Sequence, residues 1–166
     1  SARLINKKIT EQMKKYSSNN LYVVGHSKGG LVALWWLLKL KGHTTCKTLI
    51  TIGTPFKGTY KAWFLLLSPL GLLFKDLWQL RPGSSCLKTL HKEPIPHDLD
   101  IYTVYSRKDL WAGSTFGRHP LENDQHNIHP RPMHHLNHTE FLHSREIGDI
   151  ISNIIHSKQK KHSDSL

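Results

Sequence analysis

LYVVGHSKGGLVAL, residues 21–34, joins a short run of β-branched and apolar residues to a longer apolar run through the pentapeptide Gly25-His26-Ser27-Lys28-Gly29. The first run predicts a strand, and the apolar run after the glycines predicts a helix. A strand, a sharp turn and a helix in this order form the context in which Gly-x-Ser-x-Gly exposes a serine hydroxyl at the apex of the turn. Ser27 is therefore a candidate nucleophile.

The other positions of the pentapeptide have predicted tasks of their own. Gly25 and Gly29 are expected where a side chain would collide as the chain reverses. The backbone N–H of Lys28 is expected to point at the oxyanion of a tetrahedral intermediate, with the positive end of the following helix adding to its field. The alternative is an ordinary turn between strand and helix in which Ser27 is a bystander.

A nucleophilic serine needs a base and an acid that orients the base. Where the serine lies in a Gly-x-Ser-x-Gly turn between strand and helix, the acid, Asp or Glu, follows it in the chain, and the base, His, comes last. Asp109 comes just after the predicted strand 101–106, at the carboxyl edge where open α/β sheets bind ligands. His138 precedes the predicted final helix 145–155, a suitable place for a general base. Rivals for these two roles are Asp100, Asp124, His134, His135 and His143.

The composition predicts one α/β domain. The chain has 166 residues, of which 38% are hydrophobic, enough for a single core. Predicted strands at about 21–25, 47–52 and 101–106 alternate with helical stretches, which indicates a mostly parallel sheet. The tail 156–166 has almost no apolar residues and is predicted to be disordered.

The chain resembles the triacylglycerol lipase and esterase branch of the α/β-hydrolases. Residues 25–30, called the elbow below, match that group's Gly-His-Ser-x-Gly-Gly. A second motif of the group, Thr-x-Gly-Thr-Pro-x-x-Gly-Thr, is similar to Thr51-Ile52-Gly53-Thr54-Pro55-Phe56-Lys57-Gly58-Thr59. The segment 80–90 is similar to the group's Pro-Gly-Ser segment. The stretch around His138 is similar to its terminal histidine pattern, although Asn137 replaces the usual glycine.

This resemblance implies an α/β-hydrolase domain over 1–155, in which a mostly parallel sheet is flanked by helices. It also implies that Ser27, Asp109 and His138 hydrolyse carboxylic esters through an acyl-enzyme, with no cofactor and no metal. An apolar insertion at 60–80 is expected to form either a lid near the active site or a buried helix pair. The expected substrate-binding residues are Phe56, Trp63, Phe64 and Leu65.

One departure from the resemblance concerns the start of the chain. Members of the group carry an earlier strand and a His-Gly segment that supplies a second oxyanion-hole donor, whereas this chain opens at Ser1 in the helix before the elbow strand. We therefore expect an N-terminally truncated hydrolase, weak or inactive alone, because loss of one donor costs roughly 10²–10³ in turnover. A separately encoded N-terminal fragment would be its partner. The alternative is a catalytically dead remnant that acts as a binding module.

Charge and histidine content suggest further partners. The net charge of +11 is compatible with contact to an anionic membrane surface or with a solvated basic face. Nucleic acid is not expected, since aromatic residues are not interleaved with the basic ones. The 13 histidines raise a metal-binding alternative, but no His-Glu-x-x-His spacing supports it. The two cysteines, Cys46 and Cys86, decide neither redox state nor localisation.

Overall fold

The computed structural model describes residues 2–16, 21–62, 78–112, 117–120 and 127–164. Short 3-10 turns lie at Gly42–Thr44 and Glu140–Leu142. The helices and strands are, in chain order, α1 (Ala2–Tyr16), β1 (Leu21–His26), α2 (Lys28–Lys39), β2 (Cys46–Ile52), α3 (Ser85–Lys92), β3 (Asp100–Ser106), β4 (Ile128–Met133) and α4 (Arg145–Ser163).

The four strands form one parallel sheet in the order β1-β2-β3-β4. Helices α1, α2 and α3 pack on one face, where Leu49 and Ile101 point, and α4 packs on the other, where Ile52 and Val104 point. Because successive strand residues face opposite sides and both faces are covered by helices, β2 and β3 are almost wholly buried, and their residues are mostly apolar or small hydroxyl residues. The predicted α/β fold with a parallel sheet flanked by helices is confirmed.

The sequence prediction found three of the four strands and missed β4. The strand contains Pro130 and Pro132, which pair in register with Thr103 and Tyr105 of β3. Proline cannot donate to a strand ladder and argues against a strand in the middle of a sheet. It is tolerated here because β4 lies at the edge of the sheet.

The predicted disordered tail is wrong for residues 156–163, since α4 continues to Ser163. This extension contains no glycine or proline, so it adds hydrogen-bonded residues to a helix that is already nucleated. The Lys158 ammonium also donates to the carboxylate of Asp100, which ties this part of the helix to the first residue of β3. The polar composition therefore reflects a solvated helix end.

Helix α2 lies directly behind the elbow and is the most deeply buried helix of the described part of the chain. Its Leu34, Trp36 and Leu37 are almost fully inaccessible, and the Trp36 indole N–H donates to the Asn6 side chain of α1 at 2.8 Å. None of the described helices is long and apolar enough to cross a membrane. Cys46 and Cys86 are both free thiols.

Candidate active site

Ser27 stands between β1 and α2 with φ 52° and ψ −128°, a backbone conformation that non-glycine residues rarely adopt. Two hydrogen bonds from neighbouring segments hold it there. Its N–H donates to the Ile52 carbonyl at 2.8 Å, and its own carbonyl accepts from the Thr54 hydroxyl at 3.0 Å. Strained backbone of this kind persists only when its surroundings fix it, and it is typical of functional sites.

The close approach that makes this turn possible involves Gly25 and Gly30. A Cβ on Gly25 would lie 2.6 Å from the Cα of Gly30, and a Cβ on Gly30 would lie 2.1 Å from the Thr54 hydroxyl oxygen. The prediction that Gly29 would collide is wrong, because a Cβ there would meet nothing within 4 Å. Gly29 is exposed in the first turn of α2, whereas the next residue turns inward.

The three residues that the sequence nominated form one hydrogen-bonded chain. The His138 Nδ1 lies 2.8 Å from Asp109 Oδ2, and its Nε2 lies 2.9 Å from Ser27 Oγ. A carboxylate only accepts hydrogen bonds, so Nδ1 carries the proton and the unprotonated Nε2 accepts from the serine hydroxyl. This arrangement can withdraw a proton from Ser27 as its oxygen attacks an electrophile.

Asp109 is fixed more firmly than a surface carboxylate. It is 1% exposed, and its Oδ1 accepts the backbone N–H groups of Trp111 at 2.8 Å and Ala112 at 3.0 Å. Burial pushes the pKa of Asp109 up, but the His138 hydrogen bond and these two N–H groups outweigh it and hold the pKa below its ordinary value. The group is therefore ionised near neutral pH.

The rival residues lie elsewhere or have other partners. Asp100 begins β3, at the opposite end of the strand from Asp109, and lies 2.7 Å from the His129 ring. The imidazole of His135 pairs with Glu146 at 3.0 Å. His134 and His143 are exposed, and Asp124 lies outside the described residues.

Lys28 is the first residue of α2, so its backbone N–H belongs to the first turn of the helix. The N–H groups of a first turn have no intrahelical acceptor, and the helix dipole places its positive end beside them. The role of this N–H as an oxyanion donor stays a prediction.

The residues directly after Asp109, Leu110 and Trp111, form an exposed apolar pair that the sequence prediction missed. Leu110 is 77% and Trp111 is 38% exposed, and the indole of Trp111 lies 6.1 Å from the His138 ring. The Lys61 ammonium lies over the same indole, 4.7 Å from its centre. The signal was available in the sequence, since both apolar residues directly follow Asp109 in a polar turn.

Of the four predicted substrate-binding residues, only Phe56 lies within the described ranges, and its predicted role is not supported. It is 0% exposed and belongs to the core cluster with Leu34 and Leu87. The turn after β2 directs this ring inward, and a sequence does not reveal which way a loop side chain points. Trp63, Phe64 and Leu65 fall outside the described residues, as does most of the expected insertion at 60–80.

Three histidines of the carboxyl-terminal third each contact a different carboxylate. His129 pairs with Asp100, and the other two pairs are those of His135 and His138 given above. Within the ranges that the structure covers, no three His, Cys, Asp or Glu side chains are grouped so that they could hold a metal ion.

Solved structures with the same arrangement of strands and helices include the mature lipase BlEst2 of Bacillus licheniformis, with a TM-score of 0.66, 16% identity and 82% of this chain aligned. A monoacylglycerol lipase of Paleococcus ferrophilus aligns with 93% of this chain and 73% of its own, at a TM-score of 0.61 and 16% identity. The chain has an α/β-hydrolase fold. An esterase of Exiguobacterium antarcticum shares this hydrolase fold at a TM-score of 0.59 and 16% identity, with 93% of this chain and 74% of the esterase aligned.

A family model also matches the first part of this chain. The family described as PGAP1-like alpha/beta domain matches residues 2–63, which include α1, the elbow and β2. The chain spans 65% of the length of the Bacillus licheniformis lipase. No curated protein matches the chain.

Proposed function

We propose that this chain is a serine hydrolase that cleaves carboxylic esters through an acyl-enzyme. One observation carries the proposal: Asp109, His138 and Ser27 form a continuous hydrogen-bonded chain that ends at a serine with strained backbone. A bystander serine in an ordinary turn would need neither the strain nor an imidazole at hydrogen-bond distance.

In the first half of the proposed reaction, Ser27 Oγ attacks the ester carbonyl carbon while His138 Nε2 takes its proton. The backbone N–H of Lys28 stabilises the oxyanion. As the tetrahedral intermediate collapses, the alcohol leaves with the proton from Nε2 and the acyl group stays on Ser27. In the second half, water attacks the acyl carbon while His138 Nε2 takes its proton; the bond to Ser27 Oγ then breaks, Nε2 returns the proton to Oγ, and the carboxylic acid leaves and ionises in solvent. Asp109 stays ionised and stabilises the imidazolium in both halves.

The substrate class follows from the surroundings of the serine. Trp111 offers exposed apolar surface beside His138, its chain neighbour Leu110 is also exposed, and the Lys61 ammonium lies over the Trp111 indole. This combination suits an ester with an apolar acyl group and a polar or anionic remainder, such as a lipid. Together with the net charge of +11, it supports contact of these residues with a negatively charged membrane surface.

The exposed edge of β1 supports a protein partner. Within the part of the chain that the structure describes, β1 pairs with β2 alone, and its Val24 is 45% exposed. Parallel sheets are usually covered on both faces and continue past strands of this apolar character. We propose that a further strand pairs with this edge of β1 and brings a second oxyanion donor.

Labelling by a fluorophosphonate probe tests the proposed nucleophile. The wild-type chain should be labelled and Ser27→Ala should not. Ser152→Ala is the matched control, because Ser152 also contacts an imidazole, His156 Nδ1 at 3.2 Å, but in an exposed position on α4. This control should retain full labelling. Labelling that survives Ser27→Ala would overturn the proposal.

Turnover of p-nitrophenyl butyrate distinguishes an active esterase from a catalytically dead binding module. A chain that is labelled and also releases p-nitrophenol repeatedly is an esterase. A chain that is labelled once but does not turn over is the catalytically dead module, in which the serine is activated but the acyl-enzyme is not hydrolysed.

A further inference from the structure

His26, the residue before the proposed nucleophile, contacts the proposed base directly. Its Nε2 lies 3.1 Å from the main-chain carbonyl oxygen of His138, and the two imidazole rings lie 4.9 Å apart at 43°. A carbonyl oxygen only accepts hydrogen bonds, so Nε2 of His26 carries a proton and donates it. The proposed reaction described above gives this side chain no task.

The place of His26 in the sheet makes it a firm point of attachment. It is the last residue of β1 and pairs in register with Ile52 of β2. The adjacent Ser27 N–H is bonded to the carbonyl of that same Ile52. The His26 side chain therefore starts from a backbone that the sheet and the elbow both fix.

His138, in contrast, lies in an irregular segment between β4 and the 3-10 turn at Glu140–Leu142. The Asn137 side chain accepts from the N–H groups of Thr139 and Glu140, so this segment is braced mainly by bonds within itself. The His26 bond adds a link from the main chain of His138 to the strand that carries Ser27. It acts on the backbone of the base and leaves both ring nitrogens of His138 for Asp109 and Ser27.

The surroundings favour an uncharged His26. Burial lowers the pKa of His26, and the neighbouring His138 ring lowers it further. The hydrogen bond to the His138 carbonyl raises this pKa, as does the charge of the Asp109 carboxylate, but the net shift is downward. An uncharged ring beside His138 does not oppose the imidazolium that forms when Ser27 loses its proton.

We propose that His26 is a positioning residue, whose Nε2–H donates to the His138 carbonyl and holds the imidazole of His138 between Ser27 and Asp109. Its effect on turnover rests on the proposed function, whereas its effect on the position of the imidazole does not. The two effects can therefore be measured separately.

The kinetic test compares His26→Ala with His26→Gln, whose side-chain amide retains an N–H donor. A misplaced catalytic group costs on the order of 10–100-fold in rate. We expect kcat for p-nitrophenyl butyrate to fall by about that factor in His26→Ala with little change in KM, and to recover mostly in His26→Gln. The control is His143→Ala, an exposed histidine of the same region.

Proton NMR tests the position of the imidazole without any turnover. The His138 Nδ1 proton, bonded to buried Asp109, should give a low-field resonance in the wild-type chain that Asp109→Asn removes. That resonance should be lost or broadened by rapid exchange in His26→Ala, and retained in His26→Gln and His143→Ala. Circular dichroism identifies the folded variants, and His26→Leu, which fills space without a donor, replaces His26→Ala if that variant does not fold.

The results separate the two proposals. A low-field resonance and a kcat that are both unchanged in His26→Ala or His26→Leu would overturn the positioning role. Absence of the resonance from the wild-type chain would overturn it as well. A wild-type chain that shows the expected His26-dependent resonance but is not labelled by the fluorophosphonate probe would overturn the proposed function alone.

Discussion

The hydroxyl of Thr54 donates to the main-chain carbonyl of Ser27 at 3.0 Å, so the turn after β2 holds the turn after β1. Thr54 is 1% exposed, and its side chain also fills the space beside Gly30. One buried side chain thus fixes both the strained residue and the start of α2.

Thr54→Val should lower the free energy of unfolding by about 1 kcal/mol, because the shape is kept while the part-buried carbonyl of Ser27 loses one of its two donors and retains the Gly30 N–H. It should also slow labelling by the fluorophosphonate probe. Urea unfolding and labelling rates provide the measurements. Thr54→Ser, which keeps the hydroxyl, should retain the labelling rate of the wild type; equal rates in all three proteins would contradict this account.

Gly29→Ala and Gly30→Ala should act in opposite directions, although the two positions are adjacent. A methyl group on Gly29 meets nothing within 4 Å, so alanine there should stabilise α2 by about 0.5–1 kcal/mol. A methyl group on Gly30 would overlap the Thr54 side chain, and such overpacking costs typically about 1–3 kcal/mol. Thermal unfolding of the two variants measures the difference. A destabilised Gly29→Ala would show that the first turn of α2 is packed differently.

Asp109→Asn should reduce kcat by on the order of 10³–10⁴, because the amide can donate to His138 Nδ1 and favour the wrong tautomer of the imidazole. The KM should change little, since Asp109 is buried away from any substrate. Steady-state kinetics on p-nitrophenyl butyrate measures both constants. Asp149→Asn, an exposed position on α4, is the control and should keep the wild-type kcat. An active Asp109→Asn variant would assign the role of the acid to another residue.

His119 should make the fold less stable in acid. Burial, with a smaller contribution from His91, lowers the pKa of His119 from 6.5 to about 3. Below pH 6.5 His119 therefore binds a proton in the unfolded chain but stays neutral in the folded chain. This difference lowers the free energy of unfolding as the pH falls from 6.5 toward 3. The lowered pKa of His91, also caused mainly by burial, acts with the same sign.

Urea unfolding between pH 6.5 and pH 4 measures this dependence. His119→Leu should reduce the slope of the unfolding free energy by at most about 1.4 kcal/mol per pH unit, the value for one proton. The slope is the readout, because the substitution also changes packing against Phe56, whose ring lies 4.8 Å from that of His119. His134→Gln, at an exposed position, should leave the slope as in the wild type. The same slope in His119→Leu would mean that His119 is protonated in the folded chain.

The three strands and Ser27 were predictable because their signals are local, and Asp109 and His138 were predictable from the sheet edge and the chain order. An apolar run predicts a strand, and the carboxyl ends of parallel strands meet at one edge, which brings Asp109 toward Ser27. The position of His138 depended on chain order, and the distances then selected it from its neighbours.

The features that could not be predicted from the sequence depend on contacts between residues that are distant in the chain. The two prolines of β4 argue against a strand in the sequence, and they are tolerated because β4 lies at the edge of the described sheet. The requirement for glycine at Gly30 comes from Thr54, and the inward direction of Phe56 comes from the core cluster. The link from His26 to His138 joins two segments 112 positions apart, which no local pattern records.

All four described strands precede His138 in the chain, and Ser27 precedes it by 111 positions. During synthesis on the ribosome, the serine and its elbow therefore leave the exit tunnel long before the imidazole does. Until that later segment has emerged and docked against β1, the hydroxyl has no base beside it. On the proposed function, nascent chains and chains that end before His138 lack the base that activates the serine.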